Sequence, residues 1–147
     1  MFNIYLTDES DELLGENVYK GHIVAGELNE YFRSEVNWWS KDDYKRSWLR
    51  EIIRFLEGET DVAVLITTFV PPENANFLRG YVLYGFGDDV LIQEQMFVVE
   101  SLGYVFDPYS PGDFLKYSST TEEGEKKSEW RMEKEDLRTF VSNCDSF

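Results

Sequence analysis

The side chains that most often carry out acid–base, nucleophilic or metal chemistry are scarce in this sequence. It has one histidine, His22, and one cysteine, Cys144, among 147 residues. Neither lies in a sequence context that indicates a catalytic relay or an activated thiolate, and the spacing of His, Cys and carboxylates indicates no metal site. We therefore expect no catalytic residue, no cofactor and no metal.

Carboxylates are the abundant reactive group. The chain has 29 Asp and Glu against 14 Lys and Arg, which gives a net charge of −15. Adjacent acids such as Asp42-Asp43 do not form the facing pair that a glycosidase needs across a sugar cleft. A small carboxylate-dependent hydrolase is nevertheless one alternative function. A paired, buried carboxylate with a raised pKa would support it, whereas exposure of every Asp and Glu would exclude it.

The composition indicates a folded, acidic protein that binds a basic partner. Aromatic residues make up 16% of the chain and apolar residues 42%, which is enough for a packed core and argues against disorder. A strong negative field speeds the encounter with basic proteins and repels nucleic acid. A single-strand nucleic-acid-binding module is the other alternative, because aromatic side chains on a sheet can stack bases.

Acidic segments, one of which contains a tyrosine, are the best candidates for a binding surface. Tyrosine supplies a rigid, amphipathic contact, and carboxylates steer and pair with Arg or Lys of a partner. Three segments qualify: a tight turn, an Asp-Pro-Tyr loop and an acidic loop before the last predicted strand. Their candidate residues are Asp88, Asp89, Asp107, Tyr109, Glu122, Glu123 and Glu125.

Two helices are predicted, near residues 41–57 and 133–144. Ser40 is a good N-cap for the first, and Asp43 three residues later completes a variant of the capping box. Its apolar residues recur at helical spacing, and Gly58 supplies a left-handed stop. The second helix has an apolar face of Leu137, Phe140, Val141 and Cys144.

Most of the remaining chain is predicted to form strands. The segments are Phe2–Leu6, Val18–Val24, Val62–Val70, Phe77–Phe86, Val90–Val99, Phe114–Thr121 and Ser128–Met132. Short turns between the three long central strands favour an antiparallel meander, since parallel strands need long crossovers. Gly80 and Gly85 inside a strand predict a bulge or a sharp bend. The sequence therefore predicts an α+β fold in which a bent antiparallel sheet packs with the two helices.

The chain is expected to be a single cytoplasmic domain spanning residues 1–147. Its length suits one domain with a hydrophobic core. No apolar run approaches the roughly 20 residues of a membrane helix, and the N-terminus lacks the basic region of a signal peptide. A single cysteine forms no internal disulfide, which fits a reducing compartment.

Three motifs in order resemble the immunity proteins of bacterial contact-dependent growth inhibition systems, the CdiI proteins. They are the helix segment Asp43–Leu49, the strand from Phe77 through Tyr81–Tyr84, and Lys127–Trp130 ahead of the C-terminal helix. The resemblance covers roughly residues 35–144, and no counterpart of the first thirty residues is evident.

The resemblance implies a small cytosolic protein, not an enzyme, that binds the C-terminal toxin domain of a large secreted effector. Such toxins are commonly nucleases, and in the similar subgroup they cleave ribosomal RNA. The immunity protein covers the active site or the substrate surface of the toxin. The family also implies an α+β fold with a strongly bent antiparallel sheet, but no individual contact residue carries over, because immunity interfaces differ between members.

Overall fold

The computed structural model describes seven strands and two helices within residues 1–10, 17–69, 77–98, 117–121 and 123–144. The elements are β1 Phe2–Ser10, β2 Val18–Ala25, β3 Leu28–Glu35, α1 Lys41–Leu56, β4 Val62–Thr68, β5 Phe77–Phe86, β6 Asp89–Val98, β7 Glu129–Glu133 and α2 Lys134–Asn143. All paired strands are antiparallel. The predicted α+β class and the antiparallel meander are confirmed, although the strands form two sheets, β1-β2-β3 and β4-β5-β6-β7.

The capping signals of α1 act as predicted. The Asp43 N–H donates to Ser40 Oγ at 3.1 Å, and the Ser40 N–H donates to Asp43 Oδ2 at 2.9 Å, so both halves of the capping box are present. Gly58 follows the helix with φ of +79°, a conformation that glycine adopts without steric cost. These interactions are local in sequence, and they set both ends of α1.

Strand β3 is the element that the sequence does not predict. Its residues, LNEYFRSE, include three charged side chains and no β-branched residue, so the strand signal is weak. The available clue is Gly26, whose φ of +63° makes a tight turn after β2. The prediction of a strand at Phe114–Thr121 is wrong for its described part, Tyr117–Thr121, which forms only an isolated bridge from Thr120 to Lys126.

The unpaired edge of β4 is covered by side chains rather than by another strand. Tyr44, Trp48 and Glu51, which lie on one face of α1, reach this edge. Trp48 Nε1 donates to the Ile66 carbonyl at 2.7 Å, and the Val64 N–H donates to Glu51 Oε1 at 3.2 Å. Each of these hydrogen bonds satisfies a buried backbone group that would otherwise need a partner on an adjacent strand.

The two sheets meet where β3 lies beside the end of β4. Ser34 Oγ donates to the Thr67 carbonyl, and Thr68 Oγ1 donates to the Arg33 carbonyl at 3.0 Å. Side-chain hydroxyls therefore join the two edges at this point. Both sheets and both helices contribute to one core, whose largest fully buried side chains are Trp48, Tyr44, Tyr81, Phe55, Ile23, Leu28, Ile52, Leu65, Ile66, Leu83 and Ile92.

Candidate functional site

The turn between β5 and β6 brings two predicted binding residues to an end of the molecule. Gly87 has φ of +63°, which lets the chain reverse tightly and places Asp88 and Asp89 at the tip. Asp89 is the cross-strand partner of Glu133, and the Lys134 N–H donates to the Asp88 carbonyl at 2.9 Å. The start of α2 is thereby fixed against the turn.

A further acidic segment joins the same place. The Gly85 N–H donates to the Asp61 carbonyl at 2.9 Å, so the segment after α1 lies against the end of β5. Three chain regions that are distant in sequence thus supply carboxylates to one surface, which we call the acidic end. Its members are Asp61, Asp88, Asp89, Glu133 and Glu135.

Two of the basic side chains at the acidic end, Arg131 and Arg138, are paired in exposed positions, whereas Lys134 Nζ lies over an aromatic ring. Arg131 Nη2 bonds Asp89 Oδ1, and their side chains are 60% and 48% exposed. Arg138 Nη1 lies 3.1 Å from Glu135 Oε2. Ion pairs at such positions contribute little to stability and exchange readily, so these carboxylates remain available to a charged partner.

Two further predicted binding residues that the structure describes, Glu123 and Glu125, do not join this surface. Glu123 and Glu125 lie in the loop closed by the Thr120–Lys126 bridge, where the Thr121 N–H donates to the Glu125 carbonyl at 2.7 Å. Glu123 lines a cavity with Gln95. Because a strand rises about 3.3 Å per residue, that end of β6 lies roughly 20 Å from Asp89. Asp107, Tyr109 and Glu122 lie outside the described residues.

An exposed aromatic side chain adjoins the acidic end. Phe86 is 49% exposed and is the cross-strand partner of Asp89, so the two side chains share one face of the sheet. Its ring contacts Tyr117 edge-on, with centroids 5.1 Å apart, and Tyr117 contacts the buried Tyr84 at 5.2 Å. The sequence does not identify Phe86, because nothing in an aromatic strand indicates which ring is left uncovered.

A pair of glutamates lies between the two sheets. Tyr81 Oη donates to Glu30 Oε2 at 2.9 Å, and Glu94, the cross-strand partner of Tyr81, lines a cavity of about 230 Å³. Partial burial and then the neighbouring Glu30 carboxylate raise the pKa of Glu94, against the opposing effects of Tyr81 and Arg79. The two carboxylates are paired and the pKa of Glu94 is raised, but Glu94 is exposed, so the arrangement meets only part of the criterion for the hydrolase alternative.

Replacing Glu94 by Gln is expected to stabilise the protein at neutral pH. A carboxyl with a raised folded-state pKa contributes stability below its unfolded pKa and loses it as pH rises through the folded value. At pH 7 the ionised Glu94 therefore lowers the unfolding free energy of the wild type, by about 0.5 kcal/mol once solvent screening is allowed for. E94Q lacks this loss. Urea unfolding at pH 4 and pH 7 measures it, with E125Q as the exposed control. A stability difference that is equal at both pH values would contradict the expectation.

His22 belongs to an aromatic row on the three-stranded sheet. Tyr5, His22 and Tyr31 are cross-strand neighbours, and the His22 and Tyr31 rings stack with centroids 4.5 Å apart. The His22 ring nitrogens lie 3.0 Å from Tyr5 Oη and 2.6 Å from Asn29 Oδ1. Lys20 Nζ lies 4.2 Å from the centre of the Tyr31 ring. The single-strand nucleic-acid alternative would use this face.

Cys144 is the C-cap of α2 and is half-buried. Within the described part of the chain, no group of three or more His, Cys, Asp or Glu residues is placed to hold a metal ion. None of the helices in that part is long and apolar enough to cross a membrane.

The chain is similar to proteins of known identity over most of its length. Residues 34–140 match the family described as the CdiI N-terminal domain. The chain is 30% identical, over 99% of its length and 100% of the relative, to "Immunity protein CdiI" of Enterobacter cloacae subsp. cloacae. It also superimposes with a TM-score of 0.86 and 27% identity on a chain of the "CdiA-CT/CdiI toxin and immunity complex from Enterobacter cloacae", covering 97% of both chains. This chain therefore belongs to the CdiI immunity-protein family.

Proposed function

We propose that this protein binds a cognate CdiA C-terminal toxin domain and neutralises it by covering the active or substrate-binding surface. The observation that supports this most strongly is the match along nearly the whole chain to a CdiI protein, together with the likeness to a chain of a toxin and immunity complex. The protein would act by binding in the cytoplasm and would need neither a cofactor nor catalysis.

The charge of the chain suits a toxin domain that is a basic nuclease. Enzymes that bind nucleic acid carry Lys and Arg to contact phosphates. A partner with a net charge of −15 attracts such a surface over about a Debye length and orients the encounter. The same carboxylates compete with phosphate for the basic residues, so binding there keeps the nucleic acid out of the site.

We place the acidic end at the centre of the toxin interface. It supplies carboxylates from three chain regions on backbone that is held by hydrogen bonds, so little conformational freedom is lost on binding. Its exposed ion pairs can exchange their partners for those of the toxin. The loop that contains Glu123 and Glu125, about 20 Å away, would contact a large toxin domain only at the edge of the interface.

Co-expression with the toxin domain tests the proposal. A tagged copy of this protein would be produced with the C-terminal domain encoded immediately upstream. We expect cells to survive only when this protein is present, and a one-to-one complex to elute from the affinity column. Growth arrest that this protein does not relieve, with no complex recovered, would rule out that pairing. If the toxin domain is a nuclease, the nucleic acid that is cleaved in arrested cells identifies its class of substrate.

A second candidate function, carboxylate-dependent hydrolysis, rests on Glu30 and Glu94. Their proximity to each other and to Tyr81, beside a cavity that Tyr81 and Glu94 line, is the specific observation in its favour. If the pair were catalytic, E94Q would abolish protection of the cell while leaving the complex intact. If protection depends on binding alone, E94Q protects as well as the wild type, and the hydrolase candidate is excluded.

A further inference from the structure

We infer that Phe86 is an anchor residue of the toxin interface, and that it inserts into an apolar socket on the toxin rimmed by Lys or Arg. The inference rests on the proposed function and names the partner chemistry that the acidic end alone does not specify. Carboxylates steer association, but tight interfaces depend on a few well-packed apolar or aromatic residues near their centre.

Phe86 is a large apolar group that the fold leaves in solvent. Its side chain is 49% exposed at the end of β5, directly before the Gly87-Asp88 turn. Cross-strand pairing puts Leu91 opposite Tyr84 on the same face, beside Phe86, and Leu91 is half-buried. The result is a small apolar patch at the edge of the acidic end.

The Phe86 ring packs on side chains that are themselves held by hydrogen bonds. The ring packs edge-on against Tyr117, which packs edge-on against the buried Tyr84. Tyr117 Oη donates to Glu129 Oε1 at 2.8 Å, and the buried Gln93 donates to the same oxygen at 2.9 Å. The hydrogen bond to Glu129 is also the main cause of the raised pKa of Tyr117.

Support of this kind reduces the entropy that an anchor loses on binding. An unsupported phenylalanine on a mobile loop would be ordered only in the complex, at a cost to affinity. Phe86 lies in a strand paired with β6 and contacts a ring that hydrogen bonds hold in place. It is therefore pre-organised for insertion.

The surroundings of Phe86 specify what it can contact. Asp89 lies opposite it in the sheet, and Glu133 lies opposite Asp89 on the next strand. An apolar ring with carboxylates beside it complements an apolar depression that is bordered by cationic groups. A depression bordered by Asp or Glu would place like charges together and is excluded by repulsion.

A dissociation-rate measurement with F86A tests the inference. We expect F86A to dissociate from the purified toxin domain about 30-fold faster than the wild type, with an unchanged salt dependence of association. F86L restores part of the apolar contact and is expected to fall between the two. F86A is expected to lose only about 1 kcal/mol of unfolding free energy in urea, because the side chain is half exposed, so the variant stays folded in the binding experiment.

W38A is the matched control, since Trp38 is 47% exposed and lies before the N-terminus of α1. At 1.5 Å per residue the 16 residues of α1 place it roughly 24 Å from the acidic end. If the wild type binds the toxin domain and F86A dissociates at the same rate, the anchor role of Phe86 is overturned, whereas the proposed function still stands. Equal losses in F86A and W38A would also overturn it, whereas a wild type that does not bind overturns both.

Discussion

The D88K/D89K double variant is expected to associate with the toxin domain roughly 10- to 100-fold more slowly than the wild type at low salt. The two substitutions change the charge of the acidic end by four units and place two cations where we expect cations of the toxin. They also remove Asp89, the ion-pair partner of Arg131. The rate of the wild type should fall steeply with salt concentration, and that of the variant should fall less steeply.

Stopped-flow association at several salt concentrations measures the effect, and E123K/E125K is the matched control. It changes the net charge equally but in a loop roughly 20 Å from Asp89. A large loss in D88K/D89K with a small one in E123K/E125K would support the acidic end as the interface. Equal losses would show that net charge rather than location governs the encounter, and no loss in either would contradict electrostatic steering.

The E51A variant is expected to lose about 3 kcal/mol of unfolding free energy. Glu51 is 1% exposed, and its two oxygens accept bonds from the Val64 N–H and from Arg54 Nη1, each at 3.2 Å. Truncation leaves the buried Val64 N–H without its acceptor and opens a cavity between α1 and β4. Urea unfolding at pH 7 measures the loss.

E51Q is the matched control, and its effect is expected to stay within about 1 kcal/mol, because the amide oxygen still accepts the Val64 N–H. Burial raises the pKa of Glu51 above its ordinary value of 4.5. The wild type therefore loses stability as pH rises through the folded-state pKa, whereas E51Q does not. Equal unfolding free energies for E51A and the wild type would show that Glu51 is not needed to cover the β4 edge.

The predictions from sequence succeed where the determining interactions are local. Helix α1 begins and ends as predicted, because Ser40, Asp43 and Gly58 act within a few residues of the termini. The apolar segments that form β4, β5 and β6 are found within one or two residues of their predicted bounds. Strand β3 is not predicted, because this polar strand is stabilised by pairing with β2 and by contacts with β4 rather than by its own strand propensity.

The candidate site could be predicted only in part. The Gly-Asp-Asp turn signal predicts Asp88 and Asp89 as binding residues, and both lie in an exposed acidic surface. Their association with Asp61 and Glu133 depends on the Gly85–Asp61 bond and on the pairing of β6 with β7. Neither contact leaves a local signal, so the sequence could list acidic segments but could not group them.

The class of the protein can be read from its residues alone: a folded α+β protein of high negative charge, the ends of α1, the central strands, and a family resemblance that the family match confirms. The three-dimensional contacts are needed to show which carboxylates share a surface and that Phe86 is exposed beside them. They also show that α1 side chains cover the β4 edge. The reason is physical: composition and caps act over a few residues, whereas strand pairing and burial depend on contacts between residues far apart in the chain.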